Sequence, residues 1–207
     1  MTSDDATALV VIDVQNDFCP GGALEVAEGD RVVPVANRLM GRFPLIVLTQ
    51  DWHPRGHNSF AANHADAEPF STTDMPYGTQ VLWPIHCVQG SDGAAFHRDL
   101  ETDRAHMVVR KGFRPAIDSY SAFFENDRTT PTGLDGYLKD LGVGRIVMLG
   151  LATDFCVYFS AIDAVALGYS VTLAEDGCRG IDLDGSLAAA LADMRDKGVA
   201  FAQSDAL

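Results

Sequence analysis

The chain has few basic residues, few cysteines and no long apolar run, and each scarcity excludes a class of protein. Its 15 lysines and arginines are outnumbered by 29 aspartates and glutamates, which gives a formal net charge of −14 at pH 7. Because this charge repels phosphate backbones and anionic lipids, we expect no nucleic-acid or membrane partner. No stretch reaches the roughly 18 consecutive apolar residues of a membrane span.

The scarcity of cysteine bears on the compartment. The four cysteines show no disulfide-like framework, and residues 1–5 (Met-Thr-Ser-Asp-Asp) lack the basic and apolar regions of a signal peptide. We therefore expect reduced thiols and a cytoplasmic location. The length of 207 residues predicts a single domain over residues 1–207, with enough chain for a full core.

Short β-branched apolar segments alternate along the chain with segments of helical periodicity. This pattern predicts strands near 8–13, 45–50, 106–111, 145–150, 169–174 and 199–203, and helices near 30–42, 132–142, 154–168 and 184–197. Such alternation is typical of an α/β fold with a parallel sheet covered by helices on both faces. The stretch 51–105 shows little helical or strand periodicity. We interpret it as a functional loop region that leaves the sheet, and not as a linker.

Three chemically active side chains follow predicted strands. Asp13 and Lys111 end two of them, and Cys156 comes shortly after the strand 145–150. Thr153 or Asp154 is predicted to cap a helix whose first turn holds Cys156, where free backbone N–H groups would lower the pKa of the thiol. The alternative interpretation is a cysteine that merely packs in the core.

These strand ends predict one catalytic site. Ligands of open α/β sheets bind beyond the carboxyl ends of the strands. Asp13, Lys111 and Cys156 would there supply a base, an electrostatic stabiliser and a nucleophile.

A second group of polar residues has the composition of a metal site. Asp51 and His53 lie two residues apart and would point to the same side of an extended chain, and His86 offers a second imidazole. Two imidazoles and a carboxylate suit zinc, iron or manganese, with His57 or Ser59 available to complete or support the coordination sphere. Histidines of ordinary polar loops are the alternative.

Six motifs together resemble one family. They are Asp-x-Gln-Asn-Asp-Phe at 13–18, Asp-Trp-His-Pro at 51–54, Trp-Pro-x-His-Cys-Val-Gln-Gly at 83–90, Lys-Gly at 111–112, Asp-Ser-Tyr-Ser-Ala-Phe-Phe at 118–124 and Gly-Leu-Ala-Thr-Asp-Phe-Cys-Val at 150–157. In this order, and over nearly the whole chain, the sequence resembles the nicotinamidases, also called pyrazinamidases, among the isochorismatase-like cysteine hydrolases.

The resemblance implies a fold and a set of site residues. The fold is a three-layer α/β/α architecture with a six-stranded parallel sheet in the order 3-2-1-4-5-6. The implied site residues are the triad Asp13, Lys111 and Cys156, the metal ligands Asp51, His53 and His86 with Ser59 or His57 as a further contact, the ring-binding aromatics Phe18 and Trp83, and Ala152. A cis peptide before Ala152 would place the N–H groups of Ala152 and Cys156 as an oxyanion hole.

The resemblance also implies the reaction. Nicotinamide would be hydrolysed to nicotinate and ammonia, and pyrazinamide to pyrazinoate, through a cysteine thioester. One divalent metal ion, with zinc as the first choice over iron and manganese, would hold the ring nitrogen or activate water.

Two alternatives stay open, a related cysteine hydrolase of another small amide or ureido compound, and a metal-binding protein without catalysis. The protein would be a monomer or homodimer. The segment 118–124 either forms a pocket wall or packs in the core.

Overall fold

A six-stranded parallel sheet forms the centre of the computed structural model, which describes residues 6–207. The strands are β1 (Ala6–Ile12), β2 (Ile46–Asp51), β3 (Thr72–Met75), β4 (Gly78–Val81), β5 (Met107–Lys111), β6 (Val143–Leu151), β7 (Ser170–Arg179) and β8 (Ala200–Ala202). The α-helices are α1 (Val32–Met40), α2 (Leu134–Asp140), α3 (Tyr158–Ala166) and α4 (Ser186–Asp196). The predicted absence of a signal peptide concerns residues 1–5, which lie outside the described residues.

The sheet has the order β5-β2-β1-β6-β7-β8, and every neighbouring pair is parallel. Numbered along the chain within this sheet, the order is 3-2-1-4-5-6, so the predicted isochorismatase-like α/β fold is confirmed. The strand order reverses between β1 and β6, and in such sheets the ligand crevice lies beyond the carboxyl ends of the strands at this point. Asp13 and Cys156 follow these two strands.

The central position of β1 explains its apolar sequence. Residues Ala8 to Ile12 are at most 1% exposed, because helices or loops cover both faces of the strand. Next to it, Gly150 of β6 has φ +129°, and a Cβ there would lie 2.7 Å from the backbone nitrogen of Ile12. Glycine at this position therefore lets the two central strands come together just before the Cys156 segment.

Three features differ from the sequence-based prediction. The antiparallel hairpin β3–β4 lies inside the stretch 51–105, where no strand was predicted. The predicted helix 154–168 begins as a π-helical turn, Thr153–Val157, which continues into α3. The predicted cap is wrong, since neither Thr153 nor Asp154 caps this turn. The Asp154 carboxylate instead accepts hydrogen bonds from the N–H groups of Ile181 (2.9 Å) and Asp182 (2.8 Å), in the loop before α4.

No helix among residues 6–207 is both long enough and apolar enough to cross a lipid bilayer.

Candidate active site

Asp13, Lys111 and Cys156 meet at the carboxyl end of the sheet. The Nζ atom of Lys111 lies 2.8 Å from Oδ2 of Asp13 and 3.4 Å from Sγ of Cys156. Their exposed fractions are 0%, 1% and 7%, so all three side chains are buried. The sequence-based expectation that these side chains converge therefore agrees with the geometry.

The position of Lys111 follows from the pleat of β5. Side chains alternate between the two faces of a strand, and in β5 Val108 and Arg110 are exposed whereas Val109 and Lys111 are buried. Lys111 pairs in register with Asp51 of β2, and its Nζ donates hydrogen bonds to Asp51 Oδ1 (2.7 Å) and to the Ser119 carbonyl (2.9 Å). The ammonium thus lies between two carboxylates.

The carboxylates keep Lys111 charged. Burial alone would lower the pKa of Lys111, but Asp13 and Asp51 outweigh burial and raise that pKa well above its usual range. Burial raises the pKa of Asp13, and the Asp51 charge adds to this effect while Lys111 opposes it. Thr49 holds the Asp13 carboxylate by donating a hydrogen bond from Oγ1 to Oδ1 (2.6 Å). The second oxygen of Asp13 therefore faces the Lys111 ammonium and the thiol.

The expected lowering of the Cys156 pKa is wrong. Burial raises the pKa of the thiol well above its usual range, and Lys111 offsets this only in part because Asp13 and Asp51 repel a thiolate. Asp13 also stabilises the protonated form of the thiol. Cys156 is consequently a neutral thiol at rest, and Asp13 is the carboxylate that contacts the same Lys111 ammonium as the thiol.

Asp51, His53 and His86 form a buried cluster beside the triad. Oδ2 of Asp51 lies 3.1 Å from Nε2 of His53 and 3.5 Å from Nε2 of His86. The Nδ1 atom of each imidazole contacts a backbone carbonyl on the side away from Asp51. Nδ1 of His53 lies 2.9 Å from the Gly112 carbonyl, and Nδ1 of His86 lies 2.8 Å from the Pro84 carbonyl. A carbonyl that accepts the Nδ1 hydrogen leaves the Nε2 lone pair free to bind a metal.

The donor set fits a divalent metal ion. One ligand atom from each of the three residues lies within 4.8 Å of the others. Burial would raise the pKa of Asp51, but Lys111 and His53 outweigh burial and hold that pKa well below its usual range. Two imidazole nitrogens and an ionised carboxylate oxygen are the ligands of many catalytic metal sites.

His57 and Ser59 lie next to this cluster and bond to each other. Nδ1 of His57 is 2.7 Å from Oγ of Ser59, and its Nε2 is 3.2 Å from the Ile117 carbonyl. Both ring nitrogens of His57 therefore have protein partners. The carboxylate of Asp118 also approaches, with Oδ1 4.0 Å from Nε2 of His53.

One cavity is lined both by residues of the metal cluster and by the thiol. Its lining comprises Phe18, Leu24, Asp51, Trp83, His86, Asp118, Tyr120, Ala152, Phe155, Cys156 and Ile181. The predicted ring-binding residues Phe18 and Trp83 are both present, as is Ala152, and the peptide bond Leu151–Ala152 is cis as expected. Asp118 and Tyr120 place the segment 118–124 in the pocket wall rather than in plain packing.

Several lining residues were not predicted. Leu24 and Ile181 are ordinary apolar residues outside the six motifs, and Phe155 lies in the motif at 150–157 but was not predicted to contact the substrate. Phe155 packs edge-on against Trp83 with ring centroids 4.8 Å apart, so the wall is a continuous aromatic surface. Such a cavity suits a flat aromatic ring.

Comparison with known proteins agrees with this arrangement. The sequence model of the isochorismatase domain matches residues 7–206. The chain belongs to the isochorismatase family.

Within that family several of the similar proteins are nicotinamidases. The chain is 52% identical to the nicotinamidase of Acinetobacter baylyi, covering 93% of this chain and 90% of that protein. Its structure resembles that of the Acinetobacter baumanii nicotinamidase/pyrazinamidase, with a TM-score of 0.96, 53% identity and coverage of 98% and 99%.

Two further solved structures were determined with a ligand. A nicotinate complex from L. infantum has a TM-score of 0.86 and 40% identity, and covers 100% of this chain and 96% of that one. A zinc complex of the Pyrococcus horikoshii pyrazinamidase has a TM-score of 0.77 and 35% identity, with coverage of 95% and 98%. Together with the donor set above, the zinc complex supports a divalent metal in this isochorismatase-family site.

The substitution Gly112→Ala should weaken metal binding by about 10- to 100-fold, as changes behind a ligand typically do. Gly112 has φ +67°, and a Cβ there would lie 2.7 Å from Nδ1 of His53, so the ring must move. Gly198→Ala is the matched control, because Gly198 has φ +89° and nothing within 4 Å of a Cβ. Zinc titration of the chelated proteins against a competing dye measures the effect. Equal zinc affinities of the two variants would contradict this role of Gly112.

Proposed function

We propose that the protein hydrolyses nicotinamide to nicotinate and ammonia, and pyrazinamide to pyrazinoate, through a thioester at Cys156. The observation that carries the proposal is the shared cavity: the thiol of Cys156, the metal-cluster residues Asp51 and His86, and the aromatic residues Phe18 and Trp83 all line it. An aromatic ring in this cavity can meet the metal site while its carboxamide reaches the thiol. The sequence identity of this chain to nicotinamidases, 52% and 53% in the two comparisons above, supports this substrate.

Asp13 begins the reaction by removing the Cys156 proton. The thiolate then attacks the carboxamide carbon, and the charge of the Lys111 ammonium compensates the negative charge that passes from Asp13 to the substrate. We propose that the backbone N–H groups of Ala152 and Cys156 hold the tetrahedral oxyanion, each such donor contributing about 3 kcal/mol. Asp13 returns its proton to the amide nitrogen, the C–N bond breaks, and ammonia leaves from a nicotinoyl thioester.

Water completes the cycle at the same carboxylate. Asp13 takes a proton from the water as its oxygen attacks the thioester carbon, the C–S bond breaks, and nicotinate forms. Asp13 then returns the proton to the departing thiolate. The resting arrangement suits both halves of the cycle, because the Asp13 carboxylate and the neutral thiol both lie beside the Lys111 ammonium, 2.8 Å and 3.4 Å from its Nζ atom.

Asp51, His53 and His86 would hold the metal, and we propose zinc ahead of iron or manganese. A metal ion bound there supplies a Lewis acid that can coordinate the pyridine nitrogen and fix the ring. Ser59 is the better candidate for a further contact, since both nitrogens of His57 already face protein partners. In this proposal His57 orients Ser59.

We also propose that residues 1–207 act as one domain, as a monomer or homodimer in the cytoplasm. The first and last strands of the described chain, β1 and β8, belong to the same sheet, which supports a single domain. All four cysteines are free, as in proteins of a reducing compartment.

The proposal is tested by measuring ammonia release from nicotinamide and from benzamide, which lacks the ring nitrogen. We expect benzamide to have a kcat/KM at least about 100-fold lower, since the metal has no ring atom to hold. Chelation should abolish turnover of nicotinamide, and added zinc should restore it. Equal rates for both amides would contradict ring binding at the metal, and preferential turnover of a ureido compound would support the alternative hydrolase.

A further inference from the structure

The hairpin β3–β4 has one buried side chain, and that side chain is a polar amide. Gln80 is 1% exposed, whereas the other seven residues of the two strands are half-buried or exposed. A hairpin whose buried residue is polar contributes little apolar burial to the core. The cost of burying an amide must be offset by hydrogen bonds, so the partners of Gln80 indicate what the hairpin does.

The partners of Gln80 are residues of the substrate cavity. Its Nε2 donates to the Tyr120 hydroxyl oxygen at 2.7 Å and to Oδ2 of Asp118 at 2.9 Å, and also lies 2.8 Å from the Val81 carbonyl. Both Tyr120 and Asp118 line the cavity, whereas Gln80 does not. Gln80 therefore lies behind the wall and bonds to it.

The other end of the amide is anchored to the surrounding loops. Oε1 of Gln80 accepts hydrogen bonds from the Tyr77 hydroxyl (3.2 Å) and from Nδ2 of Asn126 (3.1 Å). Donors thus surround one end of the amide and acceptors the other. This pattern fixes the orientation of the amide, because a flipped side chain would place its NH₂ group against Nδ2 of Asn126 and its oxygen against the Asp118 carboxylate.

The bond to Tyr120 determines which way the hydroxyl hydrogen points. The Tyr120 oxygen accepts from Gln80 and also from Nε1 of Trp83 at 3.1 Å. With both lone pairs occupied, the oxygen keeps its own hydrogen as a donor, and Tyr120 lines the cavity. The same oxygen holds the Trp83 indole, so Gln80, Tyr120 and Trp83 form one hydrogen-bonded unit.

We propose that Gln80 is a positioning residue that sets the substrate-binding wall by orienting the Tyr120 hydroxyl, the Trp83 indole and the Asp118 carboxylate. The proposal rests on the proposed function, because it assigns these side chains to binding of the nicotinamide ring. Its effect should be on KM, since the wall contacts the ring and the thiol triad lies outside the network.

Two near-isosteric variants separate the roles of shape and polarity. Gln80→Glu keeps the shape but places a carboxylate against Asp118, and that carboxylate would accept the Tyr120 hydrogen and turn it away from the cavity. Gln80→Met keeps the volume and loses the hydrogen bonds without reversing them. Thr79→Ala, at the exposed neighbouring position of the same strand, is the matched control.

We expect Gln80→Glu to raise the KM for nicotinamide by about tenfold or more while kcat falls no more than about threefold. Gln80→Met should raise KM by a smaller factor, and Thr79→Ala should match the wild type. A purely structural role would instead lower the active fraction, and therefore kcat, at constant KM. Gln80→Met carries the test on its own if the glutamate variant does not fold. Wild-type KM in both folded variants would overturn the proposal.

A second readout does not need activity. The chain has two tryptophans, so in a Trp52→Phe background the fluorescence reports Trp83 alone. Both Gln80 variants should shift this emission and increase its quenching by acrylamide, and Thr79→Ala should not. If the wild type releases no ammonia from nicotinamide, the proposed function fails, and the emission still decides whether Gln80 positions Trp83. Unchanged emission in both variants would overturn the positioning role.

Discussion

Replacing Cys156 with alanine should lower kcat for nicotinamide by about 10⁴-fold or more, the size of effect seen when a catalytic nucleophile is removed. The thiol sulfur is the only protein atom in the proposed mechanism that bonds to the substrate carbon. Metal content should stay at the wild-type value, because Cys156 is not in the cluster of Asp51, His53 and His86. Ammonia release and metal analysis of the same preparation measure both quantities.

Cys178 provides the control for this experiment. Its exposed fraction is 7%, the same as that of Cys156. It lies in β7, however, and has no role in the proposed mechanism. Cys178→Ala should keep kcat within a few-fold of the wild type. Turnover that persists in Cys156→Ala would identify the metal site, and not the thiol, as the source of catalysis.

Lys111→Met should have the largest effect on stability. Removal of the ammonium leaves the carboxylates of Asp13 and Asp51 buried without their shared partner, a change that typically costs about 3–5 kcal/mol. Urea unfolding of the metal-free protein measures the loss of free energy of unfolding. Activity should fall as well, since an Asp13 whose pKa rises further retains its proton and no longer acts as a base.

The pH dependence of this loss follows from the sign of the shift. Burial already raises the pKa of Asp13 in the folded protein, and without Lys111 it rises further, so the folded state favours the protonated acid. A raised pKa stabilises the folded protein at low pH, and this contribution is lost as pH rises through the folded pKa. Lys111→Met should therefore be less stable at pH 8 than at pH 5, relative to the wild type. Arg110→Met, at the exposed preceding position, is the control; equal losses in both variants would contradict the buried charge cluster.

Much of the site was predictable because strand ends are visible in sequence. The apolar runs that precede Asp13 and Lys111, and the one shortly before Cys156, mark three strands, and the geometry of parallel sheets brings their carboxyl ends together. The metal cluster was predictable in part, since the two-residue spacing of Asp51 and His53 indicates a shared side of an extended chain. The third ligand, His86, comes from a loop, so only its residue type, and no strand position, indicated it as a ligand.

The features of the site that could not be predicted from the sequence depend on burial and on contacts between residues far apart in the chain. The Cys156 pKa was predicted in the wrong direction because local position in a turn does not reveal the carboxylates that fold beside it. The role proposed for Gln80 was also not visible, since β3–β4 is a short hairpin with little apolar alternation. Its partners Asp118 and Tyr120 lie about 40 residues away along the chain.

The central claim is that Cys156 forms a bond with the carbonyl carbon of nicotinamide. Mass spectrometry of the protein, acid-quenched during turnover and digested, tests this claim most directly. The account predicts the added mass of one nicotinoyl group on the peptide that contains Cys156, and no such mass in Cys156→Ala. Full turnover in which this peptide is never acylated, with the same rate in Cys156→Ala, would contradict it.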